Sequence, residues 1–516
     1  MKYQTEINVP PENINDYQFL INKSAKRLRL SAEQITSLKL IKRSLDARKK
    51  PVFRVVLEVY VNEEVNENAL VFNYRPVGKK NKVIIVGFGP AGMFAALRLI
   101  ELGIKPIVIE RGKDVRTRRR DIRALQQEHI VNPESNYCFG EGGAGAYTDG
   151  KLYTRSTKRG NVRKVLEVFI HHGANEDILI DTHPHIGSNV LPKIVSNIRQ
   201  TILNNGGEIH FESKVTGLII KQNELRGVLV NDKDEFLGDA VILATGHSAR
   251  DIYYLLQRYN IRIEPKPFAM GVRIEHPQKL INEIQYHSKD YNKNLPAASY
   301  NLACNVNDRG VYSFCMCPGG IIVPAATSPG EIVVNGMSVS RRDSPYANSG
   351  LVVSVGENEW YKYNNHYPFS ALKLQEEVEH LAFRLANQSQ SAPAQRVTDF
   401  VNGKYSQSLP FTSYIPGLTS VRLDTELPPF IVQRIKKALL IFNKKMRGYF
   451  SNEAQIVAAE TRTSSPIRIP RDNNTMMHED IKGLFPAGEG AGYAGGIVSS
   501  AIDGGKCSDA VLAYIE

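Results

Sequence analysis

The chain has 516 residues, 42% hydrophobic and 23% charged, with a formal net charge of +12. That length accommodates two or three domains with substantial cores, and the composition is that of an ordinary globular protein rather than a disordered or fibrous one. Five cysteines, few and odd in number, suit a reducing compartment, and no apolar run nears the about 18 residues of a bilayer span. The opening MKYQTEINVPPENIND has no basic-then-apolar leader, so a cytoplasmic protein without a membrane partner is expected.

Residues 1–80 read as a small α+β module. A strand is expected over 3–9, helices over 16–28 and 32–45, and a second strand over Val52–Val61. This segment holds 15 Lys/Arg against 9 Asp/Glu, half of the total positive excess. The cluster Arg48, Lys49 and Lys50 makes nucleic acid a candidate partner, against the plainer reading of a solvated basic surface.

Residues 82–111 organise the chain. The apolar run Lys82–Val86 suits a buried parallel strand, and Gly87, Gly89 and Gly92 form G-x-G-x-x-G around Pro90 and Ala91. A helical pattern follows, then a second strand ending in Glu110, eighteen positions after Gly92. Gly87 permits a tight turn, Gly89 lets a pyrophosphate approach the backbone, and Gly92 allows close helix–strand packing. Glu110 stands where a carboxylate accepts from ribose hydroxyls. Together they predict a dinucleotide-binding β-α-β unit.

The stretch after Glu110 is rich in arginine. Most of these are expected on an exposed helix, with Arg111 or Arg118 the candidates for a phosphate contact. Residues 139–152 then place four glycines within six positions, Gly142 and Gly143 among them, beside Phe139, Tyr147 and Leu152. Such backbone suits close approach to the flat ring or pyrophosphate of a cofactor. The loop His183, Pro184, His185 lacks the further ligands of a metal site, so no metal is expected; His185 is a candidate donor to substrate or flavin.

A hairpin is expected at 215–231, starting at Val215, and a strand over Ala240–Leu243 that closes in Ala244, Thr245 and Gly246. Residues 251–450 carry no nucleotide signature and read as a substrate domain. Within it, Cys315 and Cys317 are read as small buried hydrophobes, with a reactive thiol near the ring as the alternative; a disulfide between them would need a turn. Gly488 and Glu489, then Gly495 and Gly496 ahead of a helix from Ile497, return to the cofactor, with Glu489 a candidate partner of ribityl or ribose hydroxyls.

The pieces VGFGPAG (86–92), ER (110–111), NPESNYCFGEGGAGAYTDGKL (132–152), PHIG (184–187), ATGHSARD (244–251), FCMCPGG (314–320), ETRTSSPIRI (460–469) and FPAGEGAGYAGGI (485–497) together resemble the FAD-dependent oxidoreductases of the glutathione-reductase-like superfamily. More narrowly, they resemble a family of uncharacterised bacterial FAD-dependent dehydrogenases. The resemblance implies non-covalent FAD held by Gly87, Gly89, Gly92, Glu110, Gly246, Gly488 and Glu489; where this chain has Glu489, Asp is commoner. The fold class expected is α/β: a Rossmann-like FAD-binding domain in two parts (81–250 and 451–516), an inserted mixed α+β substrate domain (251–450) and the small N-terminal α+β module (1–80).

An oxidoreductase that moves a hydride between flavin and an organic substrate or nicotinamide is the leading expectation. Catalytic roles are expected of Cys317 as a thiol, Glu460 as acid or base and Arg462 as a carboxylate clamp, against a plain ion pair between the last two. No second complete β-α-β unit built on G-x-G-x-x-G is read after residue 111, so NAD(P)H is expected only as a transient reductant, alongside substrate or a partner protein. The alternatives are an RNA-associated flavoprotein docking through residues 1–80, and a redox sensor built on the cysteine pair.

Overall fold

The computed structural model describes residues 1–63, 70–78, 80–147, 149–154, 160–289 and 292–516. At its centre the strand Lys82–Val86 joins a five-stranded sheet in the order Leu484–Pro486, Ala240–Leu243, Lys82–Val86, Lys105–Ile109, Glu208–His210. Every pairing in it is parallel. A sheet of this kind is covered on both faces, which is why these strands read as unbroken apolar runs. Successive side chains serve different layers. Val83 and Ile85 pack with the helices Pro90–Glu101, Leu191–Asn204 and Ile497–Ile515. Ile84 and Val86 pack with the three-stranded antiparallel sheet of residues 215–237 and the helix Arg250–Arg258.

The second large unit is a seven-stranded sheet, ordered Ala303–Val306, Arg309–Cys317, Tyr346–Val355, Phe268–Pro277, Gln455–Glu460, Ala392–Arg396, Leu418–Ser420. All its pairings are antiparallel except the last. Gln455–Glu460 is buried at all six positions between two partners. This sheet therefore runs beyond the boundary expected at residue 450. Only the residues after this strand return towards the first sheet, where Leu484–Pro486 pairs with Ala240–Leu243.

The N-terminal module is a three-stranded antiparallel sheet, Lys2–Val9, Val52–Val61 and Ile35–Asp46, with the helix Tyr17–Leu28. The helix expected over 32–45 is a correction: Ala32–Gln34 is one 3-10 turn and Ile35–Asp46 is a strand. Register shifts between Ile35 and Ser37 and between Leu40 and Lys42 explain the misreading. Each bulge inserts a residue, so the apolar positions drift from alternation to a spacing of three or four. Arg43 ties the module to the body, exchanging backbone hydrogen bonds with residues 180 and 182 and pairing with Asp181 at 2.7 Å. Among the described residues no helix is long and apolar enough to cross a membrane.

Candidate functional site

A cavity of about 1390 Å³, its open mouth included, lies at the carboxyl ends of Lys82–Val86, Lys105–Ile109 and Ala240–Leu243. Parallel sheets place ligand sites there, where the loops diverge. Gly87, Gly89, Pro90, Ala91, Glu110, Arg111, Gly143, Val215, Ala244, Thr245, Gly246, Glu489, Gly495, Gly496 and Ile497 all border it. Gly92, Gly142 and Gly488 do not; they hold its walls together. A Cβ on Gly92 would stand 2.0 Å from the Gly87 carbonyl oxygen, and one on Gly488 would stand 2.9 Å from Ala91 Cβ. Gly142 would press on Ala146 at 2.8 Å. Gly89 is different, because a Cβ there meets nothing nearer than Gly143 Cα at 3.8 Å, and Gly246, Gly495 and Gly496 face open space.

Glu110 does more than wait for a ribose. Its Oε2 accepts from the Phe88 amide at 2.8 Å, and its Oε1 accepts from the Gly112 and Gly140 amides at 2.9 Å. The carboxylate thus pins three loops together. Since it can accept about four hydrogen bonds, one direction on Oε2 stays available towards the cavity.

Neither arginine proposed for phosphate has a free fork. Arg111 pairs with Glu134 at 2.6 Å and Asp251 at 2.8 Å, and lies over the Phe139 ring. Arg118 is fully buried and donates to the carbonyls of Asn136, Tyr137, Glu141 and Gly143 at 2.6–3.0 Å. Gly140 is needed beside it, since a Cβ there would meet Arg118 Cδ at 2.6 Å. The glycine-rich stretch is folded around an arginine, which leaves the helix start at Pro90, with no side chain capping it, as the element able to meet an anion.

The opposite wall comes from the seven-stranded sheet and its flanks: Phe314, Cys315, Asn335, Arg462 and Thr463. The catalytic expectations change here. Arg462 borders the cavity, but its guanidinium is held by Glu379 and Glu331 at 2.8 Å and by Thr327 at 2.6 Å. Arg250 binds the same two carboxylates at 2.7 Å. Burial pushes Glu379 up, and the two arginines outweigh it, holding the carboxyl at about 2. A clamp so saturated cannot also grip a substrate carboxylate. Glu460 is buried away from the cavity and pairs with Arg273 at 2.9 Å, not with Arg462. Burial raises its carboxyl to about 7 against the pull of Arg273.

Cys317 is sealed, whereas Cys315 borders the cavity. Lys151 lies 3.6 Å from Cys315 Sγ and 3.7 Å from Cys317 Sγ. The thiol that reaches the cavity is thus Cys315 and not the expected Cys317, and beside it stands a lysine that no spacing rule pointed to. His185 also departs from expectation: its Nε2 meets the Ser340 carbonyl at 3.1 Å and it does not border the cavity. His247 does, 3.5 Å from Glu489; its place in ATGH, directly after the cofactor strand, was the available signal.

Comparison with known proteins meets this geometry. Residues 80–130 match an FAD binding domain, residues 267–463 match the domain described as FAD-dependent protein, C-terminal domain-like, and residues 1–62 match a domain of unknown function. An uncharacterized protein of Clostridium beijerinckii is 40% identical over 519 residues, with 96% of each chain covered. The chain belongs to a family of FAD-dependent proteins. Among solved structures, the glycerol-3-phosphate dehydrogenase of Bacillus halodurans complexed with FAD is similar at 9% identity and a TM-score of 0.36, covering 84% of this chain and 65% of that one. A flavin-dependent brominase is similar at 13% identity and 0.35, covering 84% and 79%. FAD is the cofactor, and the cavity fits it. The open cradle at Gly89 and Gly246 leaves room where a dinucleotide backbone must pass close, the helix start suits a pyrophosphate, and Glu110 and Glu489 offer acceptors for its hydroxyls.

Proposed function

We propose that the protein is an FAD-dependent oxidoreductase that transfers a hydride between its flavin and an organic small molecule or a nicotinamide. One observation carries this reading: a single cavity joins the nucleotide-side loops of the parallel sheet to a wall from a different sheet. FAD supplies two-electron hydride chemistry when bound. The residues around it bind, orient and exclude water. The Pro90 helix would hold the pyrophosphate, Glu110 and Glu489 would accept from hydroxyls, and Phe314, Asn335 and Thr463 would supply the facing wall of the cavity for ring and substrate. Three separated segments meeting at one cavity support the glutathione-reductase-like arrangement within this reading.

A visible absorption spectrum of the purified protein, followed by anaerobic NADPH, tests it. Flavin bands that bleach promptly support free nicotinamide as the donor. Bands that persist under NADPH but bleach with an organic reductant support a substrate-reduced dehydrogenase. Absence of flavin even after reconstitution with FAD would sink the proposal. The RNA-docking alternative gains no support from the basic cluster, where Arg48 is paired with Asp46 at 2.6 Å.

A further inference from the structure

Resting on the oxidoreductase reading, we propose that Cys315 and Cys317 form a redox-active dithiol–disulfide pair that exchanges two electrons with the flavin, Cys315 being the thiol that faces it. The strand Arg309–Cys317 follows its neighbour regularly up to Phe314, then slips register before Cys317, with Cys315 at φ 45° in the left-handed region. A non-glycine residue seldom sits there, and the surrounding structure must impose it. The bulge supplies the turn that an adjacent pair needs and brings both sulfurs to one cation. Lys151 Nζ stands 3.6 and 3.7 Å from them and also donates to the intervening Met316 carbonyl.

A pair of inert hydrophobes would have apolar neighbours. This pair has cations on two sides. Arg273 donates to the Cys315 carbonyl at 2.8 Å and reaches Cys317 Sγ at 3.6 Å. The acids nearby are already paired: Asp149, 3.9 Å from Lys151, is held by Arg342 at 2.7 Å, and Glu460 sits on Arg273. Such surroundings favour a thiolate. A hydrogen bond from Cys317 and the charges of Lys151 and Arg273 hold Cys315 low against burial, while Cys317 is pushed up. One sulfur thus faces the cavity and is biased towards thiolate, and the other is enclosed and biased towards thiol, the division of labour that thiol–disulfide exchange requires.

In the oxidising direction the Cys315 thiolate and the Cys317 thiol join in the Cys315–Cys317 S–S bond, Cys317 giving up its proton. Two electrons and that one proton pass to the oxidised flavin, so no proton is left over. Reduced flavin reopens the bond by the reverse transfer.

The test uses full-length holoprotein, reduced, reoxidised in air and then titrated anaerobically with dithionite while the flavin absorbance is followed. A parallel oxidised sample is denatured in iodoacetamide and its peptides mapped by mass. The expected uptake is about four electrons per flavin in wild type and about two in Cys315→Ser or Cys317→Ser, with both cysteines protected from alkylation until reduced. An uptake of about two electrons in wild type, with both cysteines alkylated in the oxidised sample, overturns the pair. The wild-type mapping decides this even if neither variant folds. Failure of the underlying cofactor reading is told apart by a missing flavin spectrum.

Discussion

Two thiols show how far a side chain's neighbours can redirect its chemistry. Burial pushes the enclosed Cys507 up to about 12, whereas the half-buried Cys315 at the cavity wall is held low by Cys317, Lys151 and Arg273. Iodoacetamide on the intact protein should therefore label Cys315 at neutral pH well before Cys507, with a rate that persists into mildly acidic buffer. Lys151→Gln should move that pH profile upward and slow labelling several-fold at pH 7; an unmoved profile would remove Lys151 from the account. Arg118 makes the matching case for a buried cation without chemistry. Four carbonyls depend on it, and each left unsatisfied costs about 1–3 kcal/mol. Arg118→Ala should lower the melting temperature and weaken FAD binding together. Arg118→Lys should not restore them, because one ammonium cannot reproduce a planar fork. Retained stability and affinity in either variant would contradict the clamp.

At the scale of elements, the first β-α-β unit separates binding from packing within one motif. Gly89→Ala adds a methyl group where the protein leaves space, so the apo melting temperature should hardly change while FAD affinity drops by tenfold or more, about 1.4 kcal/mol. Gly92→Ala drives a methyl into the Gly87 carbonyl, and apo stability itself should fall, by about 1–3 kcal/mol. Flavin titration beside thermal melting distinguishes the two, and equal losses of stability would undo the distinction. This unit was legible because its strand, turn, helix and acid lie within thirty residues and obey one geometry. The strand Ile35–Asp46 was not, because two bulges disguised its alternation as helical spacing. Arg118 was hidden for a related reason: among many arginines on a helical pattern, the sequence carries no mark of which one turns inward.

For the whole molecule, what escaped the sequence was distance. Lys151 lies 164 positions from Cys315, and Arg273 lies 187 from Glu460; no local period joins them. Stability carries a similar collective signature. His172 and His276 lie in different cores, and burial lowers each to about 4. The unfolded chain protonates them near pH 6.5 while the fold keeps them neutral. Their contribution is therefore complete above that pH and lost as pH falls towards 4. Between pH 7.5 and 5 each should cost about 2 kcal/mol of stability, seen as a falling melting temperature that His276→Gln makes shallower; a flat wild-type profile would contradict this. The closing pieces of the parallel sheet also set an order in time. Leu484–Pro486 forms one edge, and Ile497–Ile515 packs so tightly on the first helix that a Cβ on Gly504 would stand 2.0 Å from the Ala91 carbonyl oxygen. A ribosome adding about 5–20 residues per second has long since released the loop at Gly87–Gly92 when these arrive. The nucleotide loop is therefore made nearly four hundred residues ahead of the strand and helix that complete the sheet around it, and its packing against them comes only after both have emerged.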